Sequence, residues 1–441
     1  MRADTTLVIP LLLYALPTLC LLLVYLRRRH AREGRSRSDY AISRAAGTVE
    51  PVSLHPVVNP NRCIGCGACV DACPEGSVLG IVGGQAELVN PTHCIGHGRC
   101  AEACPTDGIT LAIGSARRGV EIPVLGGDFQ TSVPGIFVAG ELGGMGLIRN
   151  AVEQGRRAVE AVRKQPGHGS GGDRLDLVIV GSGPAGFAAS LAARQHGLSF
   201  TTLEQDTFGG AIAHNPRGKI FVTEPIEMPL VGELPSRRMT KEQLLGLWED
   251  ARRRTQLTIR EREKVESIEA VDGGFDIRTH AGVYPARAVL LAVGRRGTPR
   301  RLGVPGEELP KVVYRLHEPE QYSGMQVLVV GGGDSALEAA IRLAGEPDTD
   351  VCVAYRGEAF SRPRPENRKN FEDLVARGRV RLELGTVVRA IGPQSVTLEC
   401  PSGTQELTNE AVVVCAGGVL PSAFLQTIGV RIETRYGTPL R

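Results

Sequence analysis

The stretch that most constrains the fold runs from Leu175 to Glu204 and alternates an apolar strand, a glycine-rich turn, a helix and a second strand. Its glycines have the spacing that a dinucleotide pyrophosphate requires: a tight turn, a close backbone approach and close helix packing, at Gly181, Gly183 and Gly186. Pro184 and Ala185 open the helix, whose N-terminal amides would face the phosphates. Glu204 ends the second strand, where a carboxylate can hold ribose hydroxyls. The stretch therefore predicts a dinucleotide-binding βαβ unit.

The composition is that of a multidomain globular protein. The chain has 441 residues, of which 42% are hydrophobic, enough for two or three domains with cores of their own. The formal net charge is only +3, and the sequence contains no nucleic-acid-binding motif. We therefore expect no nucleic-acid partner.

The N-terminal segment is predicted to cross a membrane. Residues 5–26 carry no charged side chain, and at about 1.5 Å per residue they are long enough for a hydrocarbon core of roughly 30 Å. Arginines follow the segment, which favours an anchor over a cleaved signal peptide and places the rest of the chain in the cytoplasm; they are Arg27, Arg28, Arg29, Arg32, Arg35 and Arg37. Residues 1–30 are thus predicted as a single-pass anchor and residues 31–54 as a flexible, structureless linker.

A duplicated cysteine block follows, in which PNRCIGCGACVDACP recurs 31 positions later as PTHCIGHGRCAEACP. The first copy supplies Cys63, Cys66, Cys69 and Cys73, and the second supplies Cys94, His97, Cys100 and Cys104. The C-x2-C-x2-C-x3-C-P spacing is typical of iron-sulfur cluster ligands. A zinc ribbon is disfavoured because it pairs two C-x2-C knuckles and has no use for a further cysteine and a trailing proline.

Residues 55–116 resemble the two-cluster bacterial ferredoxins over their whole length. The resemblance implies that Cys63, Cys66 and Cys69 share a 4Fe-4S cluster with Cys104, while Cys94 and Cys100 share the second with Cys73. His97 stands where that family has its remaining cysteine. It could ligate the second cluster through imidazole nitrogen, or leave the corner empty for a three-iron cluster.

A second nucleotide unit is predicted further along the chain. The apolar run at 326–330 leads into GGGDSA, whose candidate binding residues are Gly331, Gly333, Asp334, Ser335 and Ala336. The next strand, at 351–355, ends in Arg356 where an NAD site would carry an acid, and Arg362, Arg364 and Arg368 follow. Basic residues there favour a 2′-phosphate, so we expect NADPH rather than NADH.

A segment at 131–164 stands in an unexpected place. Its strand at 135–139, Gly140, Glu141 and long helix resemble the closing segment of flavoproteins of the thioredoxin reductase type, which in that family lies at the C-terminal end. Residues 117–441 as a whole resemble these two-domain FAD and NAD(P)H enzymes, including the bacillithiol-disulfide-reductase-like group and ferredoxin:NADP reductases of that type. The resemblance implies circular permutation, with residues 165–173 joining the old ends. It also implies FAD at the first glycine turn, with Gly294 closing the strand that begins at Ala288.

The predicted fold class is α/β: two Rossmann-like domains behind a small α+β ferredoxin domain and one transmembrane helix. The expected divisions after residue 116 are a permuted flavin-domain piece (117–164), a linker (165–174), the FAD domain (175–298), the NAD(P)H domain (299–418) and a return to the FAD domain (419–441).

The expected activity is electron transfer between NAD(P)H, FAD, two clusters and an unidentified one-electron acceptor or donor protein. The family's dithiol is missing from both places where it occurs, FGGAIAHNP at 208–216 and VVYRLHEPEQYSG at 312–324. Outside the cluster motifs, Cys20, Cys352, Cys400 and Cys415 have no dithiol spacing. A small-thiol disulfide reductase and a non-catalytic membrane redox sensor stay open as alternatives, as does a homodimer.

Overall fold

The computed structural model describes residues 5–45, 50–51, 54–116, 119–144, 146–167, 173–215, 217, 220–223, 225–234, 237–295, 299–360 and 363–439. The chain forms two compact units, one of residues 1–113 with 438–441 and one of residues 114–437. The elements of the first part of the chain are α1 (Thr5–Ala45), β1 (His55–Val58), α2 (Ala68–Asp71), β2 (Leu79–Val82), β3 (Gln85–Leu88), α3 (Arg99–Glu102) and β4 (Ile109–Ile113). Those that follow are β5 (Val120–Pro123), β6 (Ile136–Val138), α4 (Ile148–Arg163), β7 (Leu175–Val180), α5 (Pro184–Gln195), β8 (Phe200–Leu203), β9 (Ile220–Thr223), β10 (Ile226–Met228), β11 (Gly232–Leu234), β12 (Arg237–Thr240), α6 (Lys241–Arg254), β13 (Val265–Val271), β14 (Gly274–Thr279), β15 (Gly282–Leu291), β16 (Val312–Val313), β17 (Gln326–Val330), α7 (Asp334–Leu343), β18 (Asp350–Tyr355), α8 (Pro365–Ala376), β19 (Val380–Leu384), β20 (Val387–Ile391), β21 (Ser395–Cys400), β22 (Gly403–Thr408), β23 (Ala411–Val414), α9 (Ser422–Thr427), β24 (Ile432–Arg435) and β25 (Thr438–Pro439).

The cysteine repeat folds as two similar halves. Strand β1 pairs antiparallel with β4, and β2 forms a hairpin with β3. In each half a short helix starts after a glycine in the left-handed region, Gly67 with φ of 82° before α2 and Gly98 with φ of 83° before α3. Glycine is needed at both turns because a side chain strains this conformation. The two halves enclose a small apolar core that includes Val78, Leu79 and Ile109.

The prediction of a structureless linker at 31–54 is wrong for residues 31–45, because α1 continues to Ala45 and packs against the cysteine repeat. A Cβ at Gly80 would lie 2.5 Å from Oγ of Ser36, so this glycine lets the helix approach strand β2. The Ser43 hydroxyl donates to Oδ1 of Asn90 at 2.9 Å, and Glu33 accepts from the amide of Gly83 at 3.1 Å. Tertiary contacts of this kind stabilise a helix that its polar composition alone does not predict.

The predicted transmembrane segment lies in the N-terminal half of α1. In the part of the chain that the structure describes, no helix combines the length and the apolar character needed to cross a bilayer.

The larger unit contains the first glycine turn in a six-stranded sheet. Five of its strands follow one another in the order β13, β14, β15, β7 and β8, and the sixth, β6, pairs with β15. Strands β15, β7 and β8 are parallel, so their carboxyl ends meet at one edge. Helix α5 follows β7 directly and is buried along most of its length. The turn between β7 and α5 therefore lies at the edge of the sheet where α/β proteins bind nucleotides.

Strand β6 completes this sheet from an earlier part of the chain. Its residues Ile136, Phe137 and Val138 pair in parallel with the last residues of β15. Helix α4 packs closely against α5, and a Cβ at Gly155 would lie 2.1 Å from the carbonyl oxygen of Ala185. The segment at 131–164 is thus a part of the core of the first glycine turn's domain.

The second glycine turn lies in an all-parallel five-stranded sheet of order β16, β23, β17, β18 and β19. A three-stranded antiparallel sheet of β20, β21 and β22 covers one side of its core. Helices α7 and α8 pack on the other side. This layered α/β arrangement agrees with the predicted fold class for residues 299–418.

The last residues divide between the two units. Leu425 of α9 and Val430 are buried in the core of the six-stranded sheet, and β24 pairs antiparallel with β5. Strand β25 instead pairs antiparallel with β4 of the cysteine-repeat unit. The predicted return of all of residues 419–441 to the flavin domain is therefore wrong for β25.

Candidate redox sites

One cavity in the cysteine repeat is lined by Cys63, Cys66 and Cys69 of the first copy and by Cys104 of the second. The amide of Gly108 donates to Sγ of Cys104 at 3.2 Å, and the amide of Ala86 donates to Sγ of Cys63 at 3.3 Å. Hydrogen bonds of this kind stabilise thiolates that bind a cluster. The cavity brings together the residues expected to share the first cluster.

A second cavity is lined by Cys73 of the first copy and by Cys94, His97 and Cys100 of the second. The structure therefore brings together the residues that were expected to share the second cluster. The cavity is also lined by Glu75, whose Oε1 lies 3.9 Å from Nε2 of His97. Sequence reasoning missed Glu75, although its place directly after the Cys73-Pro74 pair was a usable signal.

Burial makes the thiolate form of several of these cysteines unfavourable unless a positive charge lies nearby. Burial raises the pKa of Cys69, Cys94 and Cys100 to about 11 each, so their thiolates need a compensating charge. The hydroxyl of Thr106 lowers the pKa of Cys104 through a hydrogen bond. Within the described residues, no three Cys, His, Asp or Glu side chains converge closely enough for a single metal ion. Several thiols around one cavity are the kind of ligand set that an iron-sulfur cluster uses.

The first glycine turn is built for close packing on one side and open space on the other. Gly181 has φ of 103°, and a Cβ there would lie 2.5 Å from the carbonyl oxygen of Ala292. A Cβ at Gly186 would lie 1.8 Å from the carbonyl oxygen of Gly181. At Gly183, in contrast, no atom lies within 4 Å of an added Cβ, and this residue caps α5 without a side-chain hydrogen bond. A pyrophosphate fits this open helix N-terminus.

Glu204 lies beside this turn with a buried carboxylate. Its Oε2 accepts hydrogen bonds from the amide and the hydroxyl of Ser182, at 2.7 and 2.9 Å, and its Oε1 accepts from the amide of Asp206 at 3.0 Å. The carboxylate therefore fixes the glycine turn itself. Because each oxygen has two lone pairs, Oε2 is fully used and Oε1 keeps one lone pair that could accept from a ribose hydroxyl.

Gly140 and Glu141 lie next to the same turn. The amide of Gly140 donates to Oε1 of Gln154 at 2.8 Å, and a Cβ at Gly140 would lie 3.1 Å from Cβ of Ala185. Glu141 opens a short 3-10 helix immediately after it. Gly294, with φ of 65°, follows the end of β15, the strand that lies between β6 and β7. These candidate residues therefore come from three separate parts of the chain.

The second glycine turn repeats the geometry of the first. Gly331 has φ of 145°, and a Cβ there would lie 2.4 Å from the carbonyl oxygen of Cys415. Gly333 caps α7 without a side-chain bond and has open space at its Cβ position. Asp334 begins the helix, followed by Ser335 and the buried Ala336. Its Oδ1 accepts from the amide of Arg364 and from the side chain of Asn367, both at 2.8 Å.

Arg356 directly follows β18, the strand beside β17. Since neighbouring parallel strands end at the same edge, this arginine lies on the same side of the sheet as the glycine turn. Arg364 caps α8, and Arg368 lies within that helix. Arg362 lies outside the described residues.

One charged cluster was not anticipated from the sequence. Asp206 Oδ2 lies 2.9 Å from Nε2 of His214 and 3.6 Å from the guanidinium of Arg315, and the rings of His214 and His317 are 6.3 Å apart. Burial, with Arg315 adding to it, lowers the pKa of His214. The cluster joins the two segments in which the family's dithiol is missing, and their distance in the sequence hid this contact.

These features define a two-domain nucleotide-dependent oxidoreductase joined to a cysteine-rich cluster domain. The family described as pyridine nucleotide-disulphide oxidoreductase matches residues 178–440, and the 4Fe-4S dicluster domain matches residues 55–105. The chain belongs to the pyridine nucleotide-disulphide oxidoreductases and carries a 4Fe-4S dicluster domain. It is an NAD(P)H-dependent flavin oxidoreductase with an iron-sulfur domain.

Two curated proteins illustrate the relationship. The bacilliredoxin reductase Bdr of Bacillus subtilis is 30% identical over 270 residues, which cover 59% of this chain and 82% of that protein. A ferredoxin–NADP reductase of Ignicoccus hospitalis is 27% identical over 217 residues, covering 49% of this chain and 66% of that protein. Among solved structures, the bacillithiol disulfide reductase Bdr of Bacillus cereus has a TM-score of 0.54 and 27% identity, covering 61% of this chain and 86% of that one.

Proposed function

We propose that the protein transfers electrons between NADPH and a one-electron partner through FAD and two iron-sulfur clusters. One observation carries the proposal: a pyridine-nucleotide oxidoreductase and a dicluster domain share a chain whose other cysteines do not form a dithiol. Cys352 and Cys400 are buried, and burial raises the pKa of Cys415 to about 12. Such thiols are poor nucleophiles, so the electrons need another route.

FAD would be held by the turn of Gly181, Gly183 and Gly186, with Glu204 towards the ribose and Glu141 beside the turn. When bound, a flavin accepts a hydride from a nicotinamide and passes electrons on singly, as iron-sulfur clusters require. The chain's own residues would position the cofactor: the N-terminal amides of α5 would face the pyrophosphate, and the Glu204 carboxylate holds the turn through Ser182. Electrons could flow from NADPH to the partner or from the partner to NADP⁺, because the potentials of the cofactors decide the direction.

Two clusters would be held by the two cavities, the first by four cysteines and the second by three cysteines with His97. A neutral imidazole in place of a thiolate raises the potential of a cluster. The two clusters should therefore differ in potential, with the second easier to reduce.

The NADPH preference rests on Arg356. Replacing it with alanine should lower the selectivity for NADPH over NADH about 10- to 150-fold, because a charge-assisted contact with a 2′-phosphate contributes roughly 1.5 to 3 kcal/mol. Stopped-flow flavin reduction with each nucleotide measures this. Arg377→Ala is the matched control, since this exposed arginine follows the far end of α8. Equal flavin reduction by both nucleotides in the wild type would refute the assignment.

The proposal includes a circular permutation of the flavin domain. It is supported by the pairing of β6 with β15 and by the packing of α4 on α5, which bring residues 131–164 into the domain that follows them. Moving residues 117–164 behind residue 441 should preserve FAD content, whereas deleting them should abolish it because the sheet loses a strand and α5 loses its cover. Flavin absorbance per protein measures both. A deleted form that keeps full flavin would make the segment a separate module.

A disulfide reductase for a small thiol is a second candidate, favoured by the similarity to Bdr proteins. NADPH-driven reduction of a low-molecular-weight disulfide by the purified protein, without an added carrier, would support it over electron transfer.

Attachment to a membrane through residues 5–26 stays a prediction from the sequence. Sedimentation with membranes after a high-salt wash tests it.

A further inference from the structure

The two copies of the cysteine repeat differ at a pair of positions that meet in the same cavity. At the offset of 31, Cys66 corresponds to His97, and Thr106 corresponds to Glu75. The first cavity is lined by Cys66 together with Thr106, and the second by His97 together with Glu75. The second cavity therefore differs from the first in two groups: an imidazole stands in place of a thiol, and a carboxylate stands in place of a hydroxyl.

The geometry places this carboxylate next to the imidazole. Oε1 of Glu75 lies 3.9 Å from Nε2 of His97, and the histidine side chain is 15% exposed while that of Glu75 is 41% exposed. A histidine that ligates a metal usually presents its other ring nitrogen to a carboxylate or carbonyl, which fixes the tautomer and raises the basicity of the ligand. Because Nε2 faces Glu75, ligation of the cluster by His97 would be through Nδ1.

Glu75 also offsets part of the charge difference between the two cavities. A thiolate carries a negative charge and a neutral imidazole carries none, so the His97 exchange alone removes one negative charge from the surroundings of the second cluster. The Glu75 carboxylate returns one at the same cavity. Net charge and hydrogen bonding around a cluster both set its potential.

We propose that Glu75 is a positioning residue for His97, orienting the imidazole and raising its donor strength at the second cluster. The inference rests on the proposed function, because it requires that His97 ligates that cluster. Glu75 would act on the imidazole and would not itself bind the iron.

The test uses the full-length protein purified anaerobically, with iron content and an EPR-monitored redox titration of each cluster as the readouts. Glu75→Gln should keep the iron content and raise the potential of the second cluster only, because the negative charge beside the imidazole is lost while the size of the side chain is kept. At a fixed potential the reduced-to-oxidised ratio of that cluster should rise on the order of tenfold, equivalent to about 59 mV for one electron. Glu75→Asp should recover part of this shift.

Glu102→Gln is the matched control, since it makes the same chemical change at an exposed position of the same domain and lines neither cavity. It should leave both potentials unchanged. In a His97→Cys background, Glu75→Gln should shift the second cluster by less than half as much, because the group through which Glu75 acts is gone.

Three results would overturn the inference. An equal shift in the His97→Cys background would make Glu75 a nearby charge that does not act through the histidine. Loss of iron in Glu75→Gln with iron retained in His97→Ala would make Glu75 the ligand. A third kind of result would show that His97 does not ligate the cluster: a three-iron signal in the wild type, or a second-cluster EPR signal that is unchanged in His97→Cys. Either observation would refute the proposed ligand set, whereas the first result would refute only the role of Glu75.

Discussion

A single methyl group at Gly155 should release most of the flavin from the protein. This glycine lies where α4 crosses α5, and an added Cβ would meet the carbonyl oxygen of Ala185 at 2.1 Å. Backbone cannot move away as a flexible side chain can, so Gly155→Ala must separate the two helices. Overpacking of this kind typically destabilises by about 1 to 3 kcal/mol.

The separation should reach the flavin site because the neighbouring Gln154 holds the amide of Gly140 at 2.8 Å. We expect FAD retention to fall on the order of tenfold in the Gly155→Ala protein, measured as flavin absorbance per protein after gel filtration. Gly246→Ala is the matched control: this glycine lies in α6 with no atom within 4 Å of an added Cβ. That variant should keep its flavin and be more stable by up to about 1 kcal/mol. Full flavin in Gly155→Ala would contradict the assigned place of α4 in the FAD domain.

Removing one thiol from the second repeat should eliminate the cluster of the first. Cys104 lines the same cavity as Cys63, Cys66 and Cys69, although it lies 31 positions beyond Cys73. Cys104→Ala should therefore lose about half of the iron, together with the EPR signal that Cys63→Ala also loses. Cys73→Ala should lose the other signal. Electron delivery to an artificial one-electron acceptor should fall at least about tenfold in Cys104→Ala, while NADPH still reduces the flavin.

Cys20→Ala is the control for the cysteine variants, since this exposed residue of α1 lines neither cavity. Its iron content should equal that of the wild type. If Cys104→Ala and Cys100→Ala lost the same signal, each cluster would belong to one repeat, and the crossed arrangement would be wrong.

The sequence predicted best those positions at which local geometry restricts the residue type. Gly181 and Gly331 have positive φ and lie against a carbonyl oxygen, so only glycine suits them, and the strand and helix on either side follow from hydrophobic periodicity. The cysteine spacing was equally informative. The spacing indicated cluster ligands, and the resemblance to the two-cluster ferredoxins implied the grouping of cysteines that lines the two cavities.

Contacts between distant segments were not predictable in this way. The helix at 31–45 is polar, and its stability depends on packing of Ser36 against Gly80, which no local pattern reveals. The same holds for the cluster in which Arg315 meets Asp206 and His214 from a distant part of the sequence. Glu75 is an intermediate case, because comparison of the two repeats points to it once the cavities are known.

The most direct test of the central claim is whether the clusters exchange electrons with the nicotinamide pool. The purified protein, reduced anaerobically and freed of excess reductant, is titrated with NADP⁺ and then with NADPH while flavin absorbance and the EPR signals of the clusters are recorded. Electron transfer through FAD predicts that both cluster signals follow the ratio of NADPH to NADP⁺. Iron-containing clusters whose signals stay unchanged while the flavin responds fully, or a protein that contains zinc and no iron, would contradict it.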